Sequence, residues 1–152
     1  MGRIACRETM RVEGGIVSNQ TAAATPVAAP LVLVADDEPV IRDLVCDILH
    51  ESGYRTLPAS NGKEAIDLAQ RHLPSLIVLD LMMPAMDGYT TMTRLRRDPG
   101  TARIPVIVIT GHSDPSYRSL SEGIGATAHV TKPFSARGLV ETVRRALGER
   151  PE

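Results

Sequence analysis

An α/β fold with a doubly wound parallel sheet is predicted by three features of the sequence. Five short apolar runs recur between Leu31 and Thr131, each is followed by a segment with helical spacing of its apolar positions, and the strongest runs are apolar throughout rather than alternating. Strands buried on both faces have that unbroken character, and a strand–helix alternation packs as one parallel sheet covered on both sides.

The elements follow in order from Pro30. Leu31–Ala35 reads as a buried strand, and Pro39–Glu51 as a helix with Ile41, Leu44, Val45, Ile48 and Leu49 on one stripe. Pro39 suits a first helical turn and Gly53 ends the helix. Tyr54–Ala59 is a weaker strand, and Ser60-Asn61 caps a helix running from Gly62 to about Arg71, before Pro74. Ser75–Leu79 is a third buried strand ending on Asp80, and the turn-rich Met82–Gly88 leads into a helix through about Arg97. Pro105–Ile109 is a fourth strand, ending on Thr110-Gly111; Asp114-Pro115 opens a short helix closed by Gly123 and Gly125. Ala126–Thr131 is a fifth strand, and Lys132-Pro133-Phe134 turns the chain into a last helix, Ser135–Leu147.

The chain has 152 residues, enough for one domain, read here as residues 30–150. Residues 1–29, rich in Ala, Thr and Pro toward their end, read as a flexible tail, and no output domain is expected after Leu147. No Trp, one Phe and three Tyr argue for an aliphatic core, and a formal net charge of -1 argues against a nucleic-acid or membrane partner. Two cysteines, Cys6 and Cys46, form no disulfide framework, so a cytoplasmic location is expected. No apolar run approaches the roughly 18 residues of a membrane span.

In open parallel sheets, ligands bind at the carboxyl ends of the strands. Those ends carry Asp36 and Asp37 after the first strand, Asp80 at the third, Thr110 at the fourth and Lys132 after the fifth. Three crowded carboxylates repel one another unless a cation neutralises them, and an all-oxygen set suits a hard divalent ion such as Mg²⁺. A carboxylate nucleophile beside such an ion, with an ammonium and a hydroxyl as donors, is equipped for phosphoryl transfer. Singly, each residue has a plainer reading: the acid pair as a helix cap, Lys132 as a surface charge, Thr110 as a strand end. Their convergence on one rim favours the site.

The segments Val34-Ala35-Asp36-Asp37-Glu38-Pro39, Ile77–Pro84 with Asp87-Gly88, Val106–Gly111 and Thr131-Lys132-Pro133-Phe134 resemble the motifs of the response-regulator receiver family, over about Leu31 to Leu147. The resemblance implies a flavodoxin-like (βα)5 fold with strand order 2-1-3-4-5. It implies Asp80 as the phosphoacceptor, Asp37 as a direct metal ligand, Asp36 acting through water, and the Met82 backbone carbonyl completing the protein's share of an Mg²⁺ shell, with Mn²⁺ as a substitute. Thr110 and Lys132 would sense the phosphoryl group, and Pro133 would follow the lysine through a cis bond that aims it into the site. Met82 and His112 would border the path of a hydrolytic water and tune the phosphoryl lifetime. His129 stands where the family commonly carries Tyr or Phe, so it is either a smaller, titratable switch residue or a partly exposed bystander.

The implied function is that of a single-domain response regulator, phosphorylated by a sensor histidine kinase or a histidine phosphotransfer protein. It would catalyse only its own phosphorylation and dephosphorylation, act as a monomer or weak dimer, and pass its signal to a protein partner. Two other readings compete. A small Mg-dependent aspartyl-phosphate phosphohydrolase would need a second acid two residues after the nucleophile, where Met82 stands. An inactive docking pseudo-receiver would have lost the acids or the lysine, and all are present.

Overall fold

The apolar runs leave the chain little choice of architecture, because residues such as Val32, Leu33, Ile77, Val78, Ile107 and Val108 are wholly buried and must be covered on both sides. The computed structural model describes residues 29–83, 86–111 and 122–149. In chain order the described elements are β1 (Leu31–Ala35), α1 (Pro39–Glu51), β2 (Arg55–Ala59), α2 (Gly62–His72), β3 (Leu76–Asp80), α3 (Gly88–Arg97), β4 (Val106–Thr110), β5 (Ala128–Thr131) and α4 (Ala136–Ala146). The strands form one parallel sheet in the order β2-β1-β3-β4-β5, as expected. All but one residue of the expected tail, and most of the helix expected from Asp114, lie outside the described residues.

Alternate residues of each strand feed two cores. Leu33, Ile77, Leu79 and Val108 pack with Ala65, Met92 and Leu95 beneath α2 and α3. Val32, Val34, Val78, Ile107 and Ile109 pack with Val45, Leu49, Leu139 and Val143 beneath α1 and α4. Both cores are almost purely aliphatic, so the sheet is held by branched side chains interdigitating at close range.

Helix starts are fixed locally. Asn61 accepts from the Glu64 N–H at 2.8 Å while the Glu64 carboxylate accepts from the Ser60 N–H at 2.6 Å, an interlocked cap. Asp87 and Ser135 cap α3 and α4 in the simpler way. Gly88 is required by close approach: a Cβ there would lie 2.6 Å from the Leu81 Cα and 2.8 Å from the Asp80 carbonyl. The α3 start is thereby seated on the end of β3. Helix α1 is the exception, since its N-cap residue Glu38 makes no side-chain cap.

Register sets the heights of the strand ends. Ala35 pairs with Leu79, Asp80 with Ile109, and Thr110 with Thr131. Asp36 and Asp80 therefore stand level, Thr110 one residue further along the strand direction, and Lys132 one residue beyond Thr131.

Candidate functional site

Three loops bring the predicted residues to one rim. Asp36 follows β1, where its N–H donates to the Ala59 carbonyl at 3.1 Å and its Oδ1 accepts from the Glu38 N–H at 2.9 Å. Asp80 ends β3, and its Oδ1 accepts from the Met82 N–H at 3.0 Å. Lys132 follows β5, tied by its N–H to the Thr110 carbonyl at 2.8 Å and joined to Pro133 by a cis peptide bond. Its Nζ lies 3.3 Å from Asp80 Oδ2, 3.5 Å from Glu38 Oε1 and 3.7 Å from Asp36 Oδ2.

The electrostatics follow from burial. The Asp36 and Asp80 side chains are each 3% exposed. Burial, reinforced by the neighbouring Asp80 charge, pushes the Asp36 carboxyl up to about 6, against the pull of the Glu38 N–H and of Lys132. For Lys132, burial works against the charged form, but Asp80, Asp36 and Glu38 together outweigh it and raise its pKa. The ammonium is thus the local counter-ion of a cluster that carries more negative than positive charge.

Asp37, Glu38, Asp80, Met82, Gly111 and Lys132 line an open hollow above these groups. Among the described residues, the three acids whose oxygens fall within 4.8 Å of one another are Asp36, Glu38 and Asp80. Glu38 is the residue that sequence reasoning missed; in the sequence it reads as an ordinary acid ahead of a helix. Asp37 is half-buried and lines the hollow outside that tight group. An all-oxygen donor set, largely desolvated and short of positive charge, fits a hard divalent cation. Thr110 is buried at the end of β4. His129, paired with Val108 across the sheet, has a side chain only 7% exposed, with Nδ1 4.0 Å from Glu122 Oε2. His112 lies outside the described residues. A wider groove between α1 and α4, lined by Ile48 and Val140 among acids and arginines, has no comparable convergence of groups.

A parallel 2-1-3-4-5 sheet with this acid and ammonium rim defines a class, and sequence comparison agrees. The chain belongs to the response regulator receiver domain family, whose sequence pattern matches residues 32–144. It is 40% identical over 118 residues to the DNA-binding dual master transcriptional regulator RpaA of Synechocystis, covering 78% of this chain and 49% of that one. Among solved structures it resembles the chemotaxis protein CheY4 of Vibrio cholerae, with a TM-score of 0.76 and 30% identity, covering 78% of this chain and 99% of that one. It also resembles the receiver domain of the Pseudomonas aeruginosa sensor histidine kinase PA1611, described with a magnesium ion in its active site cleft, with a TM-score of 0.75 and 26% identity, covering 80% and 100% of the two chains.

The chain spans about half the length of the curated relatives it matches. One expectation is overturned. Charge balance argues against a nucleic-acid partner, yet relatives at 35–40% identity are named as transcriptional regulators, and RpaA as DNA-binding. The near-neutral charge of a receiver carries no information about a DNA contact made elsewhere in a longer regulator. No helix among the described residues is long and apolar enough to cross a membrane.

Proposed function

We propose that Asp80 accepts a phosphoryl group from a sensor histidine kinase or histidine phosphotransfer protein, and that its phosphorylation switches this receiver between states that a partner reads. The observation that carries the reading is the 3.3 Å contact between Lys132 Nζ and Asp80 Oδ2 at the carboxyl rim, with Asp36 close by. An Asp80 oxygen forms the new bond to phosphorus as the bond from phosphorus to the donor's imidazole nitrogen breaks. The imidazole leaves with that electron pair and regains its neutral form. Asp37, Asp80 and the Met82 carbonyl would hold Mg²⁺, or Mn²⁺ in its place, with Asp36 acting through water. Bound there, the ion would offset charge on the phosphoryl oxygens. Lys132 supplies positive charge on the other side, and Thr110 donates a hydrogen bond to a phosphoryl oxygen. His129, on the neighbouring strand, is the candidate switch residue whose ring would respond when Thr110 engages the phosphoryl group.

The output belongs to the same reading. RpaA is named as DNA-binding, and control of DNA occupancy through Asp80 phosphorylation is the output inferred by analogy with it.

Incubation with Mg²⁺ and acetyl phosphate or phosphoramidate, followed by intact-mass measurement, tests the acceptor. Wild type should gain the mass of one phosphoryl group and Asp80→Asn none. Modification of Asp36 or Asp37 instead would refute the assignment.

A further inference from the structure

Glu38 has no part in the chemistry above, yet it shares the lysine on which that chemistry depends. It occupies the N-cap position of α1 without capping it. Its Oε1 instead lies 3.5 Å from Lys132 Nζ, bridging 94 residues of sequence. The three carboxylates around the ammonium are not equivalent. Asp36 and Asp80 are 3% exposed and each is pinned by a backbone N–H, whereas the Glu38 side chain is 62% exposed. A desolvated carboxylate gives up its cation only at a cost, but an exposed one can exchange it for water. Glu38 is therefore the partner that Lys132 can leave.

We propose that Glu38 is a positioning residue that draws Lys132 toward the outer edge of the resting site and competes with the incoming phosphoryl group for its ammonium. The inference rests on reading Asp80 as the phosphoacceptor. Two consequences have opposite signs. Glu38 adds negative charge beside the hollow, which favours a divalent cation and disfavours an anionic donor. It also withholds part of the lysine's charge until the phosphoryl oxygens outbid it. Removing the carboxylate should therefore weaken Mg²⁺ binding while easing phosphorylation once Mg²⁺ is saturating. A merely structural residue would impair both or neither.

The test uses Glu38→Gln and Glu38→Asp in the full chain. Mg²⁺ affinity is measured by calorimetry, and the acetyl phosphate concentration giving half-maximal phosphorylation rate is measured at saturating Mg²⁺. In Glu38→Gln that half-saturation should fall and the Mg²⁺ dissociation constant should rise, each by about two- to fivefold, the range of one exposed ion pair. Glu38→Asp keeps the charge but shortens its reach, so it should lower the half-saturation with little change in Mg²⁺ affinity. An unchanged or raised half-saturation in both variants, with wild type phosphorylated normally, overturns the role of Glu38 alone. Wild type that gains no phosphoryl group overturns the phosphoacceptor reading, and this inference with it.

Discussion

Lys132 Nζ and Asp80 Oδ2 meet at 3.3 Å across 52 residues of sequence, joining the turn after β5 to the end of β3. The contact is part of a cluster in which one ammonium faces Asp36, Glu38 and Asp80. Breaking such a cluster from the cationic side leaves buried acids without compensation, which costs more than the pair itself contributes.

Lys132→Met is accordingly expected to destabilise the metal-free protein by about 1–3 kcal/mol at neutral pH, the penalty of leaving buried polar groups unpaired. Added Mg²⁺ should recover most of the loss, because it supplies the missing positive charge. Thermal melts of both proteins with EDTA and with Mg²⁺ check this. A variant as stable as wild type in EDTA would show that the lysine does not compensate the acids.

Asp36 gives the metal-free protein a pH dependence of defined sign. Its folded-state carboxyl titrates near 6 against an ordinary value of 3.8, chiefly because it is buried. A raised pKa means that the folded state holds the proton more tightly than the unfolded chain. The contribution of this group is therefore full below about 4 and is lost as pH rises through about 6. In EDTA, wild type should lose stability relative to Asp36→Asn between about pH 4 and pH 6.5, and the variant should be the more stable at the higher pH. Parallel melting curves for the two proteins across that range would contradict the assignment.

Val40, 78% exposed, and Leu44 lie on the first turns of α1, beside the rim. Exposed apolar residues at that place suit the helix pair of a histidine donor, whose imidazole must come within bonding distance of Asp80. Val40→Glu should slow transfer from the cognate donor roughly tenfold, as loss of a central interface contact does, and leave acetyl phosphate unaffected. Equal slowing with both donors would remove the docking role.

Met82 projects an exposed side chain beside the hollow while its N–H is held by Asp80. A thioether offers a hydrolytic water no useful hydrogen bond, so the phosphoryl group should persist for minutes or longer. Met82→Asn should shorten its lifetime several-fold in a decay assay after donor removal. A wild-type lifetime of seconds, unchanged by the substitution, would show that this side chain does not set the timer.

The sheet was legible because unbroken apolar runs have one economical packing, and the rim was legible because its donors end those runs. Boundaries were less so. The Tyr54 N–H bonds to the Leu49 carbonyl and so closes α1, and β2 starts one residue later, at Arg55. Glu38 was illegible as a member of the cluster, since nothing in its neighbours says whether an N-cap carboxylate will turn back to its helix or across to a lysine 94 residues away. The relatives' link to DNA could not be read from this chain's charge, because charge balance describes only the surface of the residues that carry it.

The staggered heights of the strand ends bear on one further property, the length of the lysine. The two level acids lie lowest, Thr110 a step above, and Lys132 a step above Thr131, its register partner. At about 3.3 Å per residue, the ammonium must bend back through some 6–7 Å to touch Asp80. Four methylenes cover that span and can follow a charge that moves outward, whereas a shorter amine would fall short. The strand register makes reach, as much as charge, the specification for the side chain at position 132.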